Sequence, residues 1–249
     1  MFMTELVERN DDGGIATLSL NRPDALNALS PQMFVELRAH IDTLAGQGEE
    51  IGVVILRGNG RSFSAGNDLK AIQSGERAPS PHFQAETLHA IEALPQVVLV
   101  SVSGHCYTGA LELAIAGDLL ICADDARFCD THGKWAMVPT WGMSTRLPQR
   151  VGSLAAKDMM FSGRVVSGVE AAQIGLANRS VPVDDLVAET AAWANQIAAN
   201  SWHTLREEKR IMLALGEMGR DQGIKWDRAN SPGTGPDMQE RIAAGFGKK

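Results

Sequence analysis

The chain has 249 residues, 44% hydrophobic and 21% charged, enough apolar material for one large core domain or one plus an appendage. Its formal net charge of −7 excludes the basic stripe that a nucleic-acid partner needs and any electrostatic pull toward anionic membranes. Cys106, Cys122 and Cys129 are odd in number and lack CxxC spacing, which predicts reduced core thiols rather than a disulfide framework.

In chain order, residues 1–12 carry acids early and no cationic-then-apolar pattern, so they do not read as a signal peptide. Gly14–Leu20 reads as a strand, and Pro23 keeps 21–27 a loop. Ser30 at an N-cap, Pro31 behind it, and Met33, Leu37, Ile41 and Leu44 at helical spacing predict a helix over 31–46. A strand over 51–56, a glycine turn over 58–69 and a helix over 82–94 follow. The unit then repeats as strand 97–102, turn 103–108, helix 109–117 and strand 119–123. Nearly continuous Val/Ile/Leu strands alternating with helices predict an α/β fold with parallel sheets buried on both faces. The most apolar stretch, 108–123, is interrupted by Glu112 and Asp118 and is too short to span a bilayer; a cytoplasmic protein is expected.

From Gly142 onward the pattern is helical: 142–151, 153–161, 167–175, 184–199, 201–216 and 220–229, with a brief extended piece at Val181. A linker over 231–236 precedes a last helix over 237–244. Trp193, Trp202, Trp226, Ile211, Met212 and Leu215 suit either subunit contacts or interior packing. His40, His82, His89 and His203 fall on amphipathic helices and are expected at the surface.

The chemistry concentrates in the two glycine turns, which both follow strands, the usual ligand side of an α/β sheet. Bare backbone amides at Gly66-Asn67 and at Gly109 can approach a ligand oxygen closely, and two converging amides make an oxyanion hole. Either turn alone is also what a tight strand-to-helix connection looks like. Glu112 is the only ionisable group in the apolar stretch 109–117, so burial should raise its pKa toward the range useful for proton transfer. Its bland reading is a carboxylate stabilising a first helical turn. Asp130-Thr-His132, if extended, puts Asp130 and His132 on one face, as an acid–base adjunct needs; no further ligands nearby suggest a metal. Ser64, Ser101 and Ser103 lack the GxSxG elbow, and neither GxGxxG nor GxxxxGK[ST] is present.

At nearly full length the chain resembles the crotonase (enoyl-CoA hydratase/isomerase) superfamily. The carriers are Asn21-Arg-Pro-Asp-Ala-Leu-Asn-Ala-Leu29, Phe63-Ser-Ala-Gly-Asn-Asp-Leu69, Gly104–Asp118, Ala126-Arg-Phe128 and Val138–Met143 leading to Arg146-Leu147. The resemblance implies a spiral core of repeated ββα units over 1–190 and a helical C-terminal region over 191–249. That region would cover the site and build a homotrimer or a dimer of trimers. It also implies an acyl-CoA thioester substrate, with no cofactor besides it. By position, Asn67 and Gly109 would supply the oxyanion hole, while Ala25, Leu26, Ala65 and Leu69 would line the CoA. Glu112 matches one of the two catalytic glutamates of the hydratases. His132 stands where the second is usual, and Thr108 and Ala110 replace outer glycines of the family's triple-glycine turn. The expected reaction is addition of water to a 2-enoyl-CoA, or its reverse, through an enolate, with His132 assisting Glu112. Isomerisation, thioester hydrolysis, decarboxylation, or acyl-CoA binding without turnover remain open.

Overall fold

The computed structural model describes residues 5–216 and 218–246. Residues 1–4 of the N-terminal reading and 247–249 of the C-terminal region lie outside the described residues. The chain runs β1 (Val7–Asp12), β2 (Ile15–Leu20), α1 (Pro31–Ala45), β3 (Val53–Gly58), α2 (Leu69–Ser74), α3 (Phe83–Glu92) and β4 (Val97–Val102). It continues through β5 (His105–Tyr107), α4 (Gly109–Ile115), β6 (Leu119–Ala123), β7 (Arg127–Cys129), α5 (Met143–Ser162), β8 (Val166–Ser167) and α6 (Gly168–Gln173). Last come β9 (Arg179–Val181), α7 (Leu186–Ala198), α8 (Trp202–Leu215), α9 (Arg220–Asn230) and α10 (Met238–Phe246).

Two sheets organise these elements. The larger has the order β1-β2-β3-β4-β6-β9, parallel throughout except for the β1–β2 hairpin. The smaller has the order β5-β7-β8 and is built from short excursions between the main strands. From β2 onward each main strand is followed by a short strand or a helix before the next, which gives the repeated strand–helix architecture expected for the chain. Leu18, Val53, Leu99, Val100 and Leu120 are buried to 1% or less, as strands covered on both faces require. Among the described residues no helix is long and apolar enough to cross a membrane.

Local signals explain most boundaries. Ser30 Oγ accepts the Met33 N–H at 3.2 Å, and Met33, Phe34, Leu37, Ile41 and Leu44 form the buried stripe of α1. α5 is broken at Gly152, whose φ of 76° is non-helical, so the backbone makes two pieces, 143–151 and 153–162, within one residue of the two helices read from the sequence. α4 is seven residues long and buried throughout; a helix so short owes its stability to packing, not to propensity.

Several expectations need correction. β1 has no counterpart in the sequence reading, because of its six residues only Val7 is buried, while Arg9 is half-buried and the other four are exposed at a sheet edge. β5 lies inside the turn read over 103–108, β7 in a stretch given no element, β8 overlaps the start of the helix read over 167–175, and α2 begins at the last residue of the turn over 58–69. His82 and His89 are exposed, but His40 is half-buried with Nε2 3.1 Å from the Val7 carbonyl, and His203 has an Nε2 shielded from water. Trp202 is half-buried and packs inward: a Cβ at Gly14 or Gly52 would lie 2.4 or 2.5 Å from its ring, so those glycines make room for the indole that docks α8 on the sheet. Trp193 is covered by the Arg179 guanidinium at 3.9 Å. Of the candidate contact residues, Met212 at 72% is the one left largely exposed.

Candidate active site

The first turn runs alongside the second. Ser64 and Cys106 form a parallel bridge, with Ser64 N–H donating to His105 O at 2.9 Å and Tyr107 N–H to Ser64 O at 3.3 Å. Asn67 and Gly109 each lie three residues beyond that bridge on their own turns. Gly66, at φ 93°, permits this approach: a Cβ there would lie 2.4 Å from Tyr107 O. Among the described residues neither the Asn67 nor the Gly109 backbone N–H donates to a protein acceptor. A ring edge of Trp141 lies where a Cβ of Gly109 would be, 2.5 Å from it, and Trp141 rests edge-on against Phe34 at 5.1 Å.

The loop that resembles a CoA lining is drawn to the same place. Asn27, fully buried, donates to Asn59 O at 2.9 Å and Ser62 O at 2.8 Å, and accepts the Arg22 N–H at 2.8 Å. Ala65 N–H donates to Leu26 O at 2.9 Å, and Leu29 and Asn67 form a bridge. Ala25 is exposed, and Leu69, 41% exposed, opens α2. Asp68 caps α2 through the Lys70 and Ala71 amides and pairs with Arg22 at 2.8 Å. Burial pulls the Asp68 carboxyl up, but Arg22 and the cap amides outweigh it and hold it below the usual carboxylate range.

Glu112 sits one turn into α4, 1% exposed. Its Oε1 accepts N–H groups from Trp141 at 3.0 Å and Met143 at 3.1 Å, so the carboxylate rests against the N-terminal end of α5. Arg146 braces that turn, donating to Trp141 O at 2.6 Å and gripping Glu92 with two nitrogens at 3.1 and 2.8 Å. Burial raises the Glu112 pKa; the Met143 amide, the His132 charge and the Trp141 amide offset only part of it, leaving the acid above its ordinary range.

The other oxygen, Oε2, lies 3.7 Å from His132 Nε2, beyond hydrogen-bond length but within reach of a shared reactant. Asp130 and His132, 2% and 8% exposed, do meet, though not by strand alternation. His132 has helical backbone angles (φ −53°, ψ −47°), and the two residues close a turn in which Asp130 Oδ1 accepts the His132 N–H at 3.0 Å and Nδ1 at 2.6 Å. Burial disfavours the imidazolium, but the hydrogen bond and charge of Asp130 and the charge of Glu112 outweigh it and lift His132 above the usual histidine range.

Two features of this site escaped the sequence reading. The amides of Trp141 and Met143 that hold Glu112 are main-chain donors, which leave no mark on residue identity. Thr108 takes a positive φ of 54° with ψ −112°, a conformation that favours glycine and costs about 1–3 kcal/mol in other residues. Its hydroxyl meets the Thr131 hydroxyl and accepts the Thr131 N–H at 3.2 Å, while its own N–H donates to Cys129 O at 2.8 Å. A threonine where the resemblance leads one to expect glycine was visible; its tie to the loop of His132 was not.

The site thus gathers two adjoining glycine turns beside a buried carboxylate and imidazole 3.7 Å apart. The sequence profile described as enoyl-CoA hydratase/isomerase matches residues 10–239. The chain belongs to that family. It is 33% identical over 253 residues to a probable enoyl-CoA hydratase of Mycobacterium bovis, covering 100% of this chain and 96% of that protein. The crystal structure of an enoyl-CoA hydratase from Bacillus anthracis superposes with a TM-score of 0.91 at 27% identity, covering 98% of this chain and 97% of the other. A putative enoyl-CoA hydratase from Thermobifida fusca, solved in complex with acetoacetyl-CoA, superposes with a TM-score of 0.80 at 25% identity over 96% of each chain. The enoyl-CoA hydratase/isomerase fold and family membership are therefore established, and with them an enzyme of acyl-CoA metabolism.

Proposed function

We propose that this enzyme adds water to the double bond of a 2-enoyl-CoA thioester, and removes it in reverse. The observation that carries the reading is the buried Glu112–His132 pair, 3.7 Å apart, beside two turns whose Asn67 and Gly109 amides are free. In this reading the thioester oxygen accepts both amides and bears the enolate charge as it develops. Glu112 takes a proton from water as the oxygen bonds to C3, and His132 Nε2–H delivers a proton to C2. Ala25, Leu26, Ala65 and Leu69 line the CoA, and no group beyond the thioester is needed. Buried free thiols at Cys106, Cys122 and Cys129 fit a reducing cytoplasm.

Glu112→Gln tests the assignment. With a short 2-enoyl-CoA, loss of the conjugated thioester absorbance is expected to slow by about 10²–10⁴-fold while CoA-ester binding persists. Undiminished turnover would refute it. A second reading is favoured by one observation: the carboxylate behind His132 suits an imidazole that activates water against the thioester carbon itself. Release of free CoA rather than gain of water would mark that outcome.

A further inference from the structure

Asp130 takes no part in the steps above, yet it is among the most deeply buried acids of the chain, at 2% exposure. A carboxylate is held there at a desolvation cost that needs a return. Its Oδ1 faces two groups of one residue, the His132 backbone N–H at 3.0 Å and ring Nδ1 at 2.6 Å. An oxygen that already accepts the backbone N–H is an acceptor, so the short contact calls for the ring proton on Nδ1. That leaves Nε2 as the nitrogen presented to Glu112 Oε2, at 3.7 Å.

The charged groups acting on the imidazole are few. Asp130 faces it from its own loop and Glu112 from α4. Arg127 and Lys134 act on the neighbouring Cys129, and among the described residues neither pairs with Asp130. The Thr131 hydroxyl between the two partners is turned away to Thr108. Among the described residues, Asp130 is the partner that Nδ1 meets.

We propose that Asp130 is a positioning residue that fixes His132 as the Nδ1–H tautomer and aims Nε2 at Glu112, forming an Asp130–His132–Glu112 relay. The proton that Glu112 takes from water passes to Nε2 after product forms, replacing the proton Nε2 gave to C2, so each turnover ends with the starting protonation. The inference rests on the reading of Glu112 and His132 as the acid–base pair. It also accounts for histidine serving at a position where a carboxylic acid is usual: backed by an acid, the ring carries a proton to higher pH.

The test is nitrogen-15 histidine NMR on the whole protein, with pH profiles of wild type and Asp130→Asn. Above its titration, wild-type His132 is expected as the Nδ1–H form. His132 must be protonated to donate, so activity falls as pH rises through its pKa. Removing the charge of Asp130 lowers that pKa, and the basic limb of kcat/KM should move down by about one unit, with KM unchanged. An Nε2–H tautomer in wild type overturns the proposal, as does an Asp130→Asn protein whose ring titration and basic limb stay put. Should that variant misfold, the wild-type tautomer decides. Wild-type turnover in Glu112→Gln would remove the hydratase reading, whereas the tautomer still reports on Asp130.

Discussion

At Gly66 one missing carbon decides whether the two turns can meet. Its φ of 93° favours glycine, and a Cβ would press to 2.4 Å on Tyr107 O, a backbone atom with nowhere to go. Gly66→Ala is expected to cost about 1–3 kcal/mol, read as a lowered denaturation midpoint. It should also reduce kcat more than KM, because the adjacent Asn67 amide is displaced. Equal stability and rate would show that the turns tolerate separation. Glu112 was legible in the sequence because an acid inside an apolar helix is conspicuous. What holds it was not, since the amides of Trp141 and Met143 belong to backbone 29 and 31 residues away. Asp130 and His132 were paired for the wrong geometric reason: a short turn brings them together as well as a strand would have.

At the scale of elements, α8 is fastened to the main sheet by an ion pair between a buried lysine and a half-buried aspartate. Lys209, 8% exposed, donates to Gln96 O at 2.9 Å and to Asp118 Oδ2 at 2.7 Å, just beyond the C-terminus of the helix bearing Glu112. Burial lowers the lysine pKa and raises that of Asp118, in each case against the pull of the partner. Lys209→Met leaves the half-buried Asp118 carboxylate with the Val98 N–H but no cation other than the more distant Arg150, and should destabilise by about 1.5–3 kcal/mol in denaturant titration. A loss under about 1 kcal/mol would mean that water replaces the ammonium. Elements with a dense, uniform apolar run were readable to the residue, as β4 and β6 show over 97–102 and 119–123. β5 and β7, three residues each, are too short for any period to register, and β1 has one buried side chain to announce it.

For the whole molecule, the fold was legible through the joint pattern of several separated motifs rather than through any one of them. The helical C-terminal third is less transparent. Tryptophans that suit an interface by sequence are partly consumed within the chain, Trp202 against Gly14 and Gly52. The apolar surface that remains includes Leu154 at 85%, Phe161 at 81% and Met212 at 72% exposure, more than an isolated chain needs. We expect a homotrimer or its dimer in sedimentation equilibrium, and a compact monomer at micromolar concentration would contradict this.

The spacing of the acid–base pair has a stereochemical consequence. Atoms in van der Waals contact with a flat alkene sit roughly 3.5–4.0 Å from its carbons, so groups reaching it from opposite sides stand about 7 Å apart. Glu112 Oε2 and His132 Nε2, at 3.7 Å, fit only a common side. Hydration in deuterium oxide should therefore set the label at C2 and the new hydroxyl at C3 on one face, yielding a single diastereomer; a product with the two on opposite faces would require one of the pair to be a bystander.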